Sequence, residues 1–137
     1  MRLWHQRLIP ILPRQQLLGQ HRECCALRGK GWGRKHATVD YVFAHDPALL
    51  IAYHWLVLDE MRSRGYKYAP EWDRAEFRGK QLGIDTQWYD LHTLLLTPHQ
   101  HSPILKARMI YPEHDDSYLK SCLENLRRKG VFLNVSG

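Results

Sequence analysis

Apolar positions recur with helical spacing in three stretches of this chain, separated by clusters of proline and glycine. Pro10 and Pro13 interrupt the opening segment, after which Arg14 to Arg28 reads as one helix ended by Gly29, Gly31 and Gly33. The first dozen residues therefore read as an arm laid on a core. At 100° per residue, Leu17, Leu18, Cys24 and Cys25 fall on one side of this helix, and Gln15, Gly19, Arg22, Glu23 and Ala26 on the other. The second face is polar with a floor of small residues.

Asp46-Pro47 is an N-cap followed by proline at the first helical position, and Gly65 follows the basic turn Arg62-Ser63-Arg64. Between them Leu49 to Leu58 is apolar nearly all round, which predicts a buried central helix with His54 as a hydrogen-bonded core histidine. From Tyr66 to Pro112, prolines at 70, 98, 103 and 112 alternate with short aromatic or apolar runs, so a long surface segment with a short helix or two is expected. Leu119, Cys122, Leu123 and Leu126 then follow the i, i+3, i+4, i+7 pattern with Lys120, Glu124, Arg127 and Arg128 outside, and Gly130 closes the third helix. The prediction is an all-α fold over a single domain, residues 1–137: three helices, an N-terminal arm, and a long loop-rich segment between helices two and three.

The 137 residues carry 20 Lys+Arg against 14 Asp+Glu, a net +6, which makes an anionic partner the first to consider. No run of eighteen apolar residues occurs, and Met1-Arg2-Leu3-Trp4-His5 lacks a signal-peptide h-region, so a soluble, unsecreted protein without membrane partners is expected. Cys24, Cys25 and Cys122 are odd in number and have neither CxxC spacing nor a disulfide-scaffold pattern, pointing to a reducing, cytoplasmic setting.

An Arg-Glu pair on a helix is ordinarily a solvated face. The order of residues around Arg22-Glu23 changes that. Met1-Arg2 offers an amine followed by arginine; Gln15 to Glu23 ends in Arg22-Glu23; Arg28 follows, then Arg34-Lys35-His36; Arg64-Gly65-Tyr66 closes the second helix; Tyr111-Pro112-Glu113-His114 leads into the third. In these points, ordered over the first 66 residues and the last third, the chain resembles the pyrimidine-dimer DNA glycosylases of the phage endonuclease V type. The resemblance implies a compact three-helix bundle with the N-terminal arm inserted between the helices. It implies a two-step reaction in which the α-amine of Met1 attacks C1′ of a damaged nucleotide, an imine forms, and β-elimination cuts the strand, with Glu23 as the central acid/base carboxylate. Damaged double-stranded DNA is the implied partner of a nucleoid-associated monomer, with Arg2, Gln15, Arg22, Arg28, Arg34, Lys35 and His36 as DNA-binding residues.

The residue types suit that chemistry on their own terms. An α-amine has an ordinary pKa near 8 against about 10.4 for a lysine amine, so far more of it is neutral and nucleophilic at pH 7. A carboxylate beside a forming iminium stabilises it and moves protons, and arginine holds phosphate through a bidentate fork. Gly19 and Ala26 would let the arm or a DNA strand approach closely. Neither metal nor cofactor is required.

The chain departs from the family pattern in three places. The usual threonine exposed by methionine removal is replaced by Met1, which bulky Arg2 should help retain. Two extra residues separate Glu23 from Arg28, and Val131 to Gly137 stands where the family has an aromatic tail. The lesion stays open among a cyclobutane dimer, another damaged base and an abasic site. His21 is a contact candidate near the site; Trp32 and Trp88 are either base-stacking or core aromatics; Lys30, Arg127, Arg128 and Lys129 are further phosphate candidates; His99-Gln100-His101 lacks an evident third metal ligand. Competing readings are a non-catalytic nucleic-acid-binding module and a histidine-dependent metal hydrolase.

Overall fold

The computed structural model describes residues 1–102 and 108–135. Pro103, one of the prolines expected to punctuate the middle segment, lies outside the described residues, as do Ser136 and Gly137 at the end of the divergent tail. The fold is all-α: α1 Arg14–Arg28, α2 Pro47–Ser63, α3 Leu91–Leu96 and α4 Asp116–Arg128, with 3-10 turns at Gln6–Ile11, Asp40–Ala44 and Pro70–Asp73. Among the described residues the only β pairing is an isolated bridge between Phe77 and Ile84. No helix among them is long and apolar enough to cross a membrane.

Local chemistry accounts for the boundaries. Asp46 caps α2 by accepting from the Ala48 N–H (2.9 Å), and Asp115 caps α4 by accepting from Tyr118 (2.8 Å). Gly65 and Gly130 take the left-handed conformation just past α2 and α4, with φ of 79° and 82°. Past α1, a Cβ at Gly31 would stand 2.7 Å from the Ala26 carbonyl oxygen, so the turn there admits only glycine.

As expected, α2 is the buried centre, with Leu50, Ile51, Ala52, Tyr53, His54, Val57 and Leu58 all fully covered. It packs on α1, on α3 and on the first two 3-10 turns. The Arg64-Gly65-Tyr66 close of α2 is a structural lock. Arg64 pairs with Glu60 (2.8 Å) and donates to the carbonyls of Leu12 (2.7 Å) and Pro10 (3.1 Å), tying the end of the arm to the end of α2. The segment before α4 fastens the arm from the other side, because His114 Nδ1 accepts from the Gln6 N–H (3.1 Å). Trp32 and Trp88 meet edge to face (5.9 Å) and pack, half-buried, against the core.

Arg28 is the main departure from expectation. Predicted at a DNA phosphate, it is fully buried, and its guanidinium donates to the carbonyls of Trp72 (3.0 Å), Arg74 (2.6 Å) and Phe77 (2.9 Å). It serves as the internal clamp that folds residues 72–77 back onto α1. Burial lowers its pKa to about 10, so it remains a cation at neutral pH.

Two buried histidines must stay neutral in this fold. The Arg28 guanidinium lies 3.0 Å from His54 Nδ1 and the Gln6 N–H points at His114 Nδ1, so protonation would set donor against donor at both rings. Burial, with Arg28 and His21 adding to it, holds His54 well below the usual histidine value; burial, then His5, takes His114 down to about 3. The unfolded chain, whose histidines titrate near 6.5, therefore binds more protons than the native one between about pH 3 and 6.5. Stability should be complete above that window and fall as pH drops through it, by about 1.4 kcal/mol per pH unit for each such proton. Thermal melts from pH 7.5 to 4.5 check this. His114→Gln, which keeps an acceptor and a donor, should flatten the slope by about one proton; an unchanged slope would show that His114 is not one of the groups responsible.

Candidate active site

An extended segment with no neighbouring strand must find partners for its peptide groups elsewhere. Residues 1–4 find them in side chains. Arg2 N–H donates to Glu23 Oε2 (3.0 Å), and the Gln20 amide donates to the Arg2 carbonyl (3.0 Å) while accepting from Trp4 N–H (2.6 Å). The Tyr118 hydroxyl of α4 donates to the Leu3 carbonyl (2.5 Å), the Tyr53 hydroxyl of α2 to the Trp4 carbonyl (2.5 Å), and the Thr38 hydroxyl to the Met1 carbonyl. His36 Nδ1 lies 3.0 Å from the same Thr38 hydroxyl, which, having given its proton to Met1, accepts from the ring.

The arm thereby borders a cavity of about 170 Å³ lined by Met1, Arg2, Trp4, Glu23, Thr38, Asn125 and Lys129. A second recess of about 190 Å³ shares Trp4, Glu23 and Lys129 with it and extends along Gln15, Gln16, Gly19 and Arg22. A third, of about 320 Å³, continues through Gln15 and Arg22 to Arg14 and Leu18. The three form one groove running along α1. Its charged lining is Arg2, Arg14, Arg22 and Lys129 against the carboxylate of Glu23, an arrangement suited to a polyanion at one carboxylate-bearing point. The Lys129 ammonium sits 5.4 Å over the ring of Trp4, which lines the same two recesses.

Of the residues singled out in sequence, Met1, Arg2, Gln15, Arg22 and Glu23 come together in this groove, and His36 joins through Thr38. Arg34 and Lys35 are exposed on the turn after α1 and line none of the three recesses. Arg28, buried as described above, is removed from the set. Gly19 plays a different part from the one expected. A Cβ there would meet only Arg22 Nη2, at 3.7 Å, so the arm does not need the glycine and the groove floor stays open. Glycine inside a helix costs about 1 kcal/mol relative to alanine, and among the described residues nothing packs against Gly19 closely enough to require it.

Sequence reasoning missed Gln20, Thr38 and Asn125 and treated Lys129 only as a phosphate contact. Gln20 carried a signal, since it falls on the same face of α1 as Leu17 and Cys24, where a polar residue needs a buried partner. Thr38 and Asn125 carried none, because only the tertiary fold brings them to residue 1.

His21 and Cys25 of α1 approach His54, the ligand-type atoms of all three lying within 4.8 Å of one another. Their hydrogen bonds define a different use. Because Arg28 donates to His54 Nδ1, the ring carries its proton on Nε2, the atom facing His21 Nδ1 at 2.9 Å. The trio is thus a donor chain from Arg28 to His21, and burial pushes the Cys25 thiol up to about 12, away from the thiolate a metal prefers. His99 is likewise committed, with Nε2 at the Leu94 carbonyl (3.1 Å) and Nδ1 accepting from His101 N–H (2.9 Å).

Comparison with known proteins bears on the segment that builds the arm, α1 and α2. The family model described as pyrimidine dimer DNA glycosylase matches residues 1–74, more than half of the chain. No curated protein and no solved structure matches it significantly. The matched residues supply Met1, Arg2, Gln15, Arg22, Glu23 and Thr38 of the groove, and on that extent of similarity the chain belongs to the pyrimidine dimer DNA glycosylase family.

Proposed function

We propose that this protein is a DNA repair glycosylase with associated abasic-site lyase activity, acting at a pyrimidine dimer in duplex DNA as a monomer and without metal. The observation that carries the reading is the Glu23 carboxylate held 3.0 Å from Arg2 N, one residue from the Met1 amine. Successive backbone nitrogens lie roughly 3 to 3.7 Å apart, so the amine is within about 7 Å of that carboxylate.

In the proposed reaction the neutral Met1 amine attacks C1′, the N-glycosidic bond breaks, and its electron pair leaves with the base. Glu23 accepts the proton lost by the attacking nitrogen and returns one to O4′ as the sugar ring opens to the iminium. Loss of a C2′ proton then expels the 3′ phosphate, and water releases the enzyme from the imine. Arg2, Arg22 and Lys129 hold flanking phosphates, Gln15 contacts the strand for which Gly19 leaves room, and Arg34, Lys35 and His36 extend the contact beyond the groove. The damaged site is taken up flipped or extrahelical, as enzymes that do chemistry at a nucleobase generally require.

Three measurements test this. Acetylating Met1, or leaving a tag attached to it, should abolish borohydride trapping on abasic and dimer-containing duplexes while the fold persists, since an amide nitrogen cannot form an imine. A C-terminal tag should be harmless. Mass spectrometry of the trapped peptide identifies the nitrogen, and an adduct on Lys129 in place of Met1 would refute the amine assignment. Glu23→Gln should eliminate glycosylase and strand-cleavage activity while DNA affinity changes by no more than about threefold; full activity would remove Glu23 from the mechanism. Arg22→Ala should lower the log–log salt slope of DNA binding by about 0.9, whereas an unaltered slope would exclude a phosphate contact.

A further inference from the structure

We infer that Gln20 and Tyr53 are positioning residues that set the register of the N-terminal arm and so hold the reacting nitrogen against Glu23; this rests on the amine mechanism proposed above. Gln20 and Glu23 stand three residues apart on α1, on neighbouring turns of one face. Between them they take both polar groups of Arg2, Glu23 its N–H and Gln20 its C=O, and Gln20 also takes the N–H of Trp4. In an extended chain, residues i and i+2 present their backbone groups to the same side and residue i+1 to the other. The hydrogen bonds of the arm alternate in this way, since both backbone groups of Arg2 and the Trp4 N–H turn to α1, with the Trp4 carbonyl at Tyr53 beside Gln20, while the Leu3 carbonyl turns to Tyr118 of α4. The side chains of α1 thus stand in for the edge of a strand.

That arrangement admits one register. A slip of one residue would turn the wrong peptide groups toward Gln20, and a slip of two would carry the amine roughly 6 to 7 Å along the groove. Gln20 suits the role because its amide accepts and donates at once. It is 1% exposed, and with Trp4 N–H on one side and the Arg2 carbonyl on the other its amide cannot flip without losing both bonds. Tyr53, fully buried on α2, completes the device: its one hydroxyl proton lies between two acceptors, the Trp4 carbonyl at 2.5 Å and Gln20 Oε1 at 2.9 Å, so arm, α1 and α2 meet at one point. A chain terminus is otherwise among the most mobile parts of a domain, and a nucleophile there depends on being held in attack geometry.

The test compares wild type, Gln20→Met and Tyr53→Phe in single-turnover borohydride trapping on an abasic-site duplex, with DNA affinity measured separately and amide hydrogen exchange read at Trp4. The trapped amplitude reports the folded fraction; the rate constant reports positioning. Gln20→Met should lower the rate constant about ten- to a hundredfold, with affinity nearly unchanged and Trp4 exchange accelerated while α2 amides stay protected. Tyr53→Phe, which keeps the ring and its packing, should fall between the two, so the inference remains testable should Gln20→Met fold poorly. A loss confined to amplitude, or an unchanged rate constant in either variant, would reduce the pair to packing and overturn the inference alone. A wild-type protein that traps no DNA would overturn the amine mechanism, and the positioning role with it, while a slow Trp4 amide exchange would still identify the clamp as structural.

Discussion

The first four residues of this fold have no strand beside them, and six of their eight backbone nitrogen and oxygen groups are bonded to a side chain from elsewhere in the sequence. Thr38, Glu23, Gln20, Tyr118 and Tyr53 reach them from the turn before residue 40, from α1, from α4 and from α2. Unmade, each of these bonds in the buried part of the arm would cost on the order of 1–3 kcal/mol. The helices must therefore sit where their side chains meet the arm. Arg64 and His114 add locks at the arm's far end, through the Leu12 carbonyl and the Gln6 N–H. What holds the terminus in place is thus the same set of contacts that joins α1, α2 and α4.

The interior follows the same logic with charge. A buried guanidinium without a carboxylate would be unfavourable, yet Arg28 is surrounded by backbone carbonyls of residues 72–77 and by an imidazole lone pair. The arginine closes the loop-rich segment over α1 while fixing the tautomer of His54, which in turn points its proton at His21. Polar side chains here specify geometry where a purely apolar contact would permit sliding, at the expense of tolerance to acid.

The helices were legible because their signals are local. Asp46-Pro47 and Gly65 bracket α2 almost to the residue, and the leucine spacing of α4 survives intact. The short helices of the middle segment were expected in kind but not in place, since six residues such as Leu91–Leu96 carry too little periodicity to locate. Within the candidate site, Met1, Arg2, Arg22 and Glu23 were found through their order in sequence. Arg28 was misassigned for a physical reason: arginine is mostly a surface residue, and only the carbonyls of residues 72–77, more than forty positions away, make its burial tolerable. Thr38 and Lys129 joined the cavity by tertiary contact alone.

Glu23 is where these two systems meet. It bonds the arm through Arg2 and lines both the cavity at Met1 and the recess running past Gly19. An ionised carboxylate offers two oxygens and about four acceptor positions, so one N–H donor leaves most of its capacity toward the groove. The bond to the arm limits how the carboxylate can rotate, and the side chain that makes it borders the cavity. In the reaction proposed above, a glutamate held only by packing would have to be oriented anew for each proton it moved. Under that proposal the contact that anchors residue 2 also restricts the carboxylate, so one hydrogen bond serves both the hold on the arm and the proton transfers.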